Sequence, residues 1–178
     1  DCLTQMSDLH AKARNIKLLA LDVDGVLTDG RIYYGNDGEE LKSFSIKDGL
    51  GIKLLQRNNI EVVIITGRNS NIVARRAAEL GIKEVVQGRE DKLVALREIC
   101  SARALELDQC AYMGDDLPDL AAVEAAGIGL APADASQYLT KAADWVSRHN
   151  GGDGAVRQAA EQLLDWRDAL EAILADYH

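Results

Sequence analysis

The segment LLALDVDGVLTDG at residues 18–30 decides the fold. Residues 17–21 form a short, largely apolar run of the kind that makes a strand buried on both faces of a parallel sheet. The run stops at two carboxylates one residue apart, Asp22 and Asp24. Because ligands in open α/β sheets bind at the carboxyl ends of the strands, the segment predicts chemistry where the first strand ends.

Two aspartates followed by glycine have less specific explanations, because such sequences also form ordinary turns and calcium-binding loops. A calcium loop does not fit, since no further acids follow at alternate positions and no glutamate closes a loop of about twelve residues. An ordinary turn stays open for this segment alone, so the rest of the chain has to decide.

Length, charge and cysteine content limit the class of protein. At 178 residues the chain is expected to form one domain with a full hydrophobic core. Its net charge of −9, with no basic cluster, argues against nucleic acid or an anionic membrane as a partner. Three cysteines without a paired motif, and no long apolar run or signal-like start, predict a cytoplasmic protein. A phosphorylated ligand would then need local positive charge, from a metal ion or a few placed lysines and arginines.

Strand-like and helix-like segments alternate along most of the chain. Strands are predicted at residues 61–65, 84–86, 109–113, 128–130 and 145–146. Helices are predicted at residues 1–15, 71–80, 91–103, 117–126, 135–142 and 155–176, and another is predicted to begin with Asp48 as its N-cap. This alternation indicates an α/β fold, a three-layer doubly wound parallel sheet with right-handed crossovers.

A β-hairpin is predicted at residues 31–46, inserted between the first strand and the helix near Asp48. An isolated hairpin is marginally stable in water and leaves its edges unpaired, so it needs a surface to pack against. The hairpin either folds back on its own domain or pairs with hairpins of other subunits. Its aromatic residues, in a chain that has few, favour the second arrangement.

Polar residues also follow two later strands. The sequence TGR at residues 66–68 offers a hydroxyl, backbone N–H groups and a cation, and GDDLPD at residues 114–119 offers carboxylates. Lys92 lies at the start of a predicted helix, where the helix dipole disfavours a cation, so its position invites another explanation. Each signal alone is weak, because turns and a solvated lysine explain them too. Their order on consecutive strand ends of one sheet favours a shared site.

Together these residues suit phosphoryl transfer with Mg²⁺. The ion binds oxygen ligands and keeps several waters, and the Asp22 carboxylate, the Asp24 backbone carbonyl and Asp115 can supply such ligands. The other oxygen of Asp22 can attack phosphorus in line and form an aspartyl-phosphate. Asp24 can protonate the leaving alcohol and then deprotonate the hydrolytic water. Thr66 can hold the phosphoryl oxygens, and Lys92 can offset the charge of Asp22 and the phosphate.

The chain resembles haloacid-dehalogenase-superfamily phosphatases, which carry four sequence motifs in a fixed order. The matching positions here are, in chain order, residues 22–30, residues 66–68, Lys92 and residues 114–119. The resemblance implies a Rossmann-like core without a cap domain. It also implies a homotetramer whose hairpins form a central barrel, and an active site closed partly by a neighbouring subunit. The implied metal ligands are Asp22, Asp24 and Asp115, the implied substrate contacts are Thr66, Gly67, Arg68 and Lys92, and the acids that support the ligands are Asp116 and Asp119.

Within the superfamily the resemblance is greatest to the branch that hydrolyses the 8-phosphate of 3-deoxy-D-manno-octulosonate, a sugar acid of lipopolysaccharide. It implies that the glycine-rich tail and C-terminal helix at residues 150–178 fold over the substrate. The resemblance also implies that an arginine at position 68 goes with this eight-carbon acid, whose carboxylate suits a fixed guanidinium. Asp153 departs from the basic or neutral residue expected among the tail glycines. The alternatives are a phosphatase of nine-carbon sugar-acid 9-phosphates and a non-catalytic assembly module of the same fold.

Overall fold

A parallel sheet forms the middle layer of the computed structural model, which describes residues 2–178. The strands of this part of the chain are β1 (Leu18–Leu21), β2 (Tyr33–Tyr34), β3 (Glu40–Leu41), β4 (Glu61–Ile65), β5 (Val85–Val86), β6 (Cys110–Met113), β7 (Ile128–Ala131) and β8 (Trp145–Val146). Its helices are α1 (Cys2–Asn15), α2 (Ile46–Arg57), α3 (Asn71–Glu79), α4 (Lys92–Ala102), α5 (Leu120–Ala125), α6 (Gln137–Ala142), α7 (Ala155–Trp166) and α8 (Leu170–Ala175).

Strand β1 lies inside the main sheet, whose strand order over the described residues is β5-β4-β1-β6-β7-β8. Neighbouring strands in this sheet run parallel. Leu21 is in register with Ile64 of β4 and with Met113 of β6, so the carboxyl ends of three strands lie side by side. The chain winds outward in both directions from β1, and the predicted doubly wound α/β fold is confirmed.

Two hydrophobic cores lie on opposite faces of the sheet. Leu19 and Leu21 belong to one core, with buried residues of α1, α2, α3 and α7. Leu18 and Ala20 belong to the other, with buried residues of α4, α5 and α6. All four β1 side chains are fully buried, as an unbroken apolar run predicts for a parallel strand covered on both faces. Between residues 2 and 178, no helix is both long enough and apolar enough to cross a membrane.

The predicted N-cap at Asp48 is wrong. Ser45 is the N-cap of α2, and its hydroxyl oxygen accepts a hydrogen bond from the Asp48 N–H at 3.4 Å. Asp48 lies buried in the first turn, where its carboxylate accepts a hydrogen bond from the Arg157 N–H of α7 at 2.9 Å. Serine and aspartate are both good caps, so the choice between them depends on this contact with a distant helix.

The single helix predicted over residues 155–176 is divided into α7 and α8. Asp168 lies between the two helices with φ of 58°, a left-handed conformation that interrupts a helix. Helix α7 belongs to the hydrophobic core, because Val156, Leu163 and Leu164 are fully buried. It is therefore a structural element of the domain.

The helix predicted over residues 117–126 starts as a 3₁₀ turn, Leu117–Asp119, and becomes α-helical only in α5. Asp116 caps this turn, since its Oδ1 accepts a hydrogen bond from the Leu117 N–H at 2.8 Å. The turn leaves the Asp119 side chain buried close to the end of β6.

Strands β2 and β3 form a separate antiparallel hairpin. Each strand has only two residues, and Tyr33, Tyr34 and Leu41 are exposed. The returning arm is anchored by Phe44, which packs against the core and lies under the Arg76 guanidinium, 5.9 Å from the ring centroid. The hairpin thus presents aromatic and apolar side chains to solvent.

The glycine-rich segment before α7 packs against the loop that follows Asp24. The Gly152 N–H donates to the Val26 carbonyl oxygen at 3.0 Å. A Cβ atom on Gly151 or Gly152 would overlap the backbone of this loop. Close backbone approach therefore explains why these two positions need glycine.

Candidate active site

Asp22, Lys92 and Asp115 come together at the carboxyl edge of the sheet. Asp22 directly follows β1, Asp115 lies two residues beyond β6, and Lys92 is the first residue of α4. Thr66 directly follows the neighbouring strand β4 on the same edge. Asp22, Thr66 and Lys92 are buried, which is rare for polar side chains unless their polar atoms have partners.

Lys92 is held between two carboxylates. Its Nζ lies 2.9 Å from Asp22 Oδ2 and 2.9 Å from Asp119 Oδ1. Burial acts to lower the pKa of Lys92, but the two carboxylates outweigh burial and raise that pKa, so the ammonium group stays charged. These ion pairs explain a cation at a helix start, where the dipole is unfavourable.

Asp119 connects the end of β6 to this lysine. Its Oδ1 also accepts a hydrogen bond from the Tyr112 hydroxyl at 2.6 Å, and its Oδ2 accepts one from the Asp115 N–H at 3.0 Å. Burial acts to raise the pKa of Asp119, but Lys92 and these donors outweigh burial and lower that pKa. Asp119 therefore stays ionised and orients both Lys92 and the Asp115 backbone.

The other two acids of the cluster hold protons more tightly than ordinary aspartates. Burial, reinforced by the charge of Asp119, raises the pKa of Asp22 well above its usual value, although Lys92 opposes the shift. Burial and Asp119 also raise the pKa of Asp115, to about 7. Oxygens of the three aspartates lie within 4.8 Å of one another. When all three carboxylates are ionised, the single positive charge of Lys92 leaves negative charge uncompensated, which suits a divalent cation with oxygen ligands.

Gly25 gives the Asp115 carboxylate its space. A Cβ atom on Gly25 would overlap Asp115 Oδ2. Gly25 also has φ of +87°, a backbone conformation that residues other than glycine rarely adopt. The loop after β1 and the loop after β6 are thus in direct contact.

The Asp24 carboxylate pairs with the hairpin. Its Oδ1 is 2.6 Å from Lys42 Nζ, and Glu40 Oε1 lies 3.5 Å from the same nitrogen. The Lys42 side chain is only 1% exposed. The hairpin therefore contacts its own domain through a part-buried ion pair, while Tyr34 and Leu41 remain exposed.

The TGR sequence forms the turn after β4. Thr66 Oγ1 accepts a hydrogen bond from the Arg68 N–H at 3.4 Å. The Arg68 guanidinium reaches the hairpin, with Nη2 3.2 Å from Glu40 Oε1, and its side chain is 46% exposed. Gly67 lies close to Glu90, since a Cβ atom at this position would come within 2.8 Å of Glu90 Oε1.

Three residues of the site, Tyr112, Glu40 and Lys42, were missed by sequence reasoning. Tyr112 reads as a core residue of β6, although a buried hydroxyl needs a partner, and that requirement is the signal that points to Asp119. Glu40 and Lys42 give no local signal, because their contacts with Arg68 and Asp24 span 28 and 18 residues.

The fold and the acid–lysine cluster define the class of protein. A parallel α/β sheet with buried aspartates and one lysine at its carboxyl edge is the arrangement expected of haloacid dehalogenase-like hydrolases. The family described as haloacid dehalogenase-like hydrolase matches residues 77–158, which include Lys92, Asp115 and Asp119.

Individual relatives narrow the class further. The 3-deoxy-D-manno-octulosonate 8-phosphate phosphatase of Escherichia coli is 49% identical over 158 residues, which are 89% of this chain and 84% of that protein. The crystal structure of the phosphatase of the same name from Moraxella catarrhalis, in complex with a magnesium ion, a phosphate ion and a KDO molecule, has a TM-score of 0.95. It is 43% identical and covers 97% of this chain and 99% of its own.

The cobalt-bound deoxy-D-mannose-octulosonate 8-phosphate phosphatase from Haemophilus influenzae has a TM-score of 0.86 and is 42% identical, covering 89% of this chain and 93% of its own. The chain belongs to this family of octulosonate 8-phosphate phosphatases within the haloacid dehalogenase-like hydrolases. The family resemblance predicted from the sequence motifs is confirmed.

Proposed function

We propose that this chain hydrolyses 3-deoxy-D-manno-octulosonate 8-phosphate to the free sugar acid and inorganic phosphate, with Mg²⁺ as its cofactor, in lipopolysaccharide precursor synthesis. The observation that carries the proposal is the buried cluster of Asp22, Lys92, Asp115 and Asp119 at the carboxyl edge of β1 and β6. The identity with the E. coli phosphatase of this substrate supports the same conclusion.

The donor set fits a magnesium ion. We assign the carboxylates of Asp22 and Asp115 and the backbone carbonyl of Asp24 as its ligands, in keeping with the preference of Mg²⁺ for oxygen. Asp119 is not assigned as a ligand, because both of its oxygens already accept hydrogen bonds. It orients Lys92 and the Asp115 backbone beside the ligands. When bound, the ion neutralises negative charge and orients the phosphoryl group.

Hydrolysis then proceeds in two displacements at phosphorus. The Asp22 carboxylate attacks phosphorus as the bond to the sugar oxygen breaks, and Asp24 donates a proton to that oxygen. A water molecule, deprotonated by Asp24, attacks the aspartyl-phosphate and releases phosphate and the free Asp22 carboxylate. Thr66 and the N–H groups beside it hold the phosphoryl oxygens, and Lys92 offsets their charge.

Arg68 is assigned to the carboxylate of the sugar acid. Its guanidinium is partly exposed and lies on the same side as Asp24, since Glu40 contacts both Arg68 and the lysine that pairs with Asp24. A guanidinium binds a carboxylate through two parallel hydrogen bonds. Substrates without a carboxylate should therefore bind more weakly.

We also propose a homotetramer whose hairpins pack together and help to close neighbouring active sites, in the cytoplasm. Exposed Tyr34 and Leu41 on the hairpin, and exposed Ile46 just beyond it, support this assembly, because such residues gain from burial at an interface. Small-angle scattering of the wild-type protein and of a Tyr34→Lys, Leu41→Lys variant tests it. The assembly is contradicted if the wild-type protein scatters as a monomer.

A phosphate-release assay tests the proposed reaction. The wild-type protein is compared on the eight-carbon 8-phosphate, a nine-carbon sugar-acid 9-phosphate and p-nitrophenyl phosphate, each with Mg²⁺ and with EDTA. We expect the highest kcat/KM on the eight-carbon substrate, and loss of activity in EDTA. Arg68→Met should raise KM for the sugar acids and leave KM for p-nitrophenyl phosphate nearly unchanged. A higher kcat/KM on the nine-carbon acid would contradict the substrate, and inactivity on all three would contradict the reaction.

A further inference from the structure

Four side chains of alternating charge run from the surface of the site to Asp24. Arg68 Nη2 lies 3.2 Å from Glu40 Oε1, the same oxygen lies 3.5 Å from Lys42 Nζ, and that nitrogen lies 2.6 Å from Asp24 Oδ1. We call these residues the hairpin charge chain. It joins the residue assigned to the substrate carboxylate to the residue assigned as acid and base.

The inner and outer contacts of this chain differ in burial. Lys42 is almost wholly buried, while the Asp24 side chain is 25% exposed and Arg68 is 46% exposed. A short ion pair with a buried partner has a fixed geometry, whereas an exposed pair at 3.2 Å is weak and exchanges readily with other anions. The Lys42–Asp24 pair is therefore the rigid part, and the Arg68–Glu40 pair is the part that a substrate carboxylate can replace.

We propose that Lys42 is a positioning residue for Asp24, and that Glu40 is a specificity residue which occupies Arg68 until a substrate carboxylate displaces it. The proposal rests on the proposed function for the roles of Asp24 and Arg68. Lys42 holds the Asp24 carboxylate towards the leaving oxygen. Glu40, once displaced from Arg68, remains beside Lys42, so the two acids and the lysine stay together while the substrate is bound.

The leaving group of the substrate distinguishes this role from a purely structural one. An alkoxide needs a proton when it leaves, whereas p-nitrophenolate leaves without protonation at neutral pH. A variant that misplaces the acid should therefore lose more kcat/KM, which reports formation of the aspartyl-phosphate, on alkyl phosphates than on p-nitrophenyl phosphate. A variant that merely loosens the hairpin should lose both in similar proportion.

Lys42→Met and Lys42→Arg test the positioning role. Met keeps much of the apolar stem and removes the charge, and we expect kcat/KM on the 8-phosphate to fall about 10- to 100-fold, since general acid–base catalysis contributes about 10²–10⁴-fold. The fall on p-nitrophenyl phosphate should be at least about fivefold smaller. Lys42→Arg, which keeps the charge, should recover much of the loss. Equal losses of kcat/KM on both substrates, or unchanged kcat/KM on the 8-phosphate, would overturn the positioning role.

Glu40→Gln tests the specificity role, with Glu39→Gln as the matched control on the same hairpin. Glu39 is exposed and hydrogen bonds only locally, to the Asp37 N–H. Removing the competing charge should lower KM for the 8-phosphate about two- to tenfold and leave KM for p-nitrophenyl phosphate unchanged. The control should change neither value. An unchanged or higher KM for the 8-phosphate in Glu40→Gln would overturn the specificity role.

Ribose 5-phosphate, an alkyl phosphate without a carboxylate, allows the positioning role to be tested independently of the proposed substrate. If the wild-type protein is inactive on the 8-phosphate but hydrolyses ribose 5-phosphate, the proposed substrate fails. The effect of Lys42→Met on ribose 5-phosphate relative to p-nitrophenyl phosphate then still decides the positioning role.

Discussion

Asp115 occupies the space that a side chain at position 25 would need, so Gly25 and Asp115 are in direct contact across two strand ends. The contact joins the loop after β1, which carries Asp22 and Asp24, to the loop after β6. It depends on a glycine, because Gly25 lacks a Cβ and has φ of +87°. The geometry of the acid cluster thus depends on a residue that carries no functional group.

Gly25→Ala should displace the Asp115 carboxylate. We expect a loss of phosphatase activity of about 100-fold or more, as misplaced catalytic groups commonly cause, and a lower free energy of unfolding. Gly38→Ala is the matched control, since Gly38 has φ of +85° and nothing lies near its Cβ position. The control should lose only about 1–2 kcal/mol of stability, the cost of a left-handed conformation for alanine, and keep its activity. Similar activity in both variants would contradict the role of this contact.

Asp115 should make the metal-free protein less stable as the pH rises. Its folded-state pKa of about 7 lies above the ordinary value of 3.8, so the folded state binds the extra proton between these pH values. Asp115→Asn removes this proton equilibrium. Its unfolding free energy relative to wild type should therefore increase from pH 4 to pH 7, by up to about 4 kcal/mol at about 1.4 kcal/mol per pKa unit. Urea unfolding in EDTA measures this difference, and a difference that does not change with pH would contradict the prediction.

Lys92→Met should leave Asp22 and Asp119 as buried carboxylates without a cation. Removing one partner of a buried ion pair costs about 3–5 kcal/mol, so we expect a large loss of stability in EDTA at pH 7, and loss of turnover. Lys83→Met, at an exposed lysine, is the control and should unfold like wild type. Denaturant unfolding of the three proteins measures the effect. Wild-type stability in Lys92→Met would show that the lysine does not balance the acids.

Asp48 should have two opposite effects on stability. Its hydrogen bond with Arg157 stabilises the start of α7, whereas its buried negative charge destabilises the fold. Oδ1 accepts the hydrogen bond from Arg157 N–H, and Oδ2 is buried without a partner among residues 2–178. Burial raises the pKa of Asp48, because the buried site disfavours the ionised carboxylate. Asp48→Ala should lose about 1–2 kcal/mol. Asp48→Asn, which keeps an acceptor, should unfold at higher urea than Asp48→Ala at pH 7, and the reverse order would contradict this account.

Much of the fold could be predicted from the sequence because its strongest signals are local. The apolar run before Asp22 and the alternation of strands and helices follow from burial on both faces of one sheet. Helix boundaries were less predictable. Ser45 and Asp48 are equally good caps by local criteria, and the contact of Asp48 with Arg157 spans 109 residues.

The candidate site was predictable where its residues follow strands directly. Asp22, Thr66 and Asp115 lie at the carboxyl edge because parallel strands end there together. The environment of Asp24 was not predictable, since its partner Lys42 comes from the hairpin. Whether a hairpin folds towards its own domain is decided by tertiary contacts that leave no periodic pattern in the sequence.

In the proposed reaction, Asp22 forms a covalent bond to phosphorus. The most direct test is to quench the protein in acid during turnover, reduce it with borohydride, and identify the modified residue by peptide mass. An aspartyl-phosphate is reduced to homoserine, and Asp22→Asn is the control that cannot form it. We predict homoserine at position 22 in the wild-type protein only during turnover. Homoserine at another position, or turnover near the wild-type rate in Asp22→Asn, would contradict the claim.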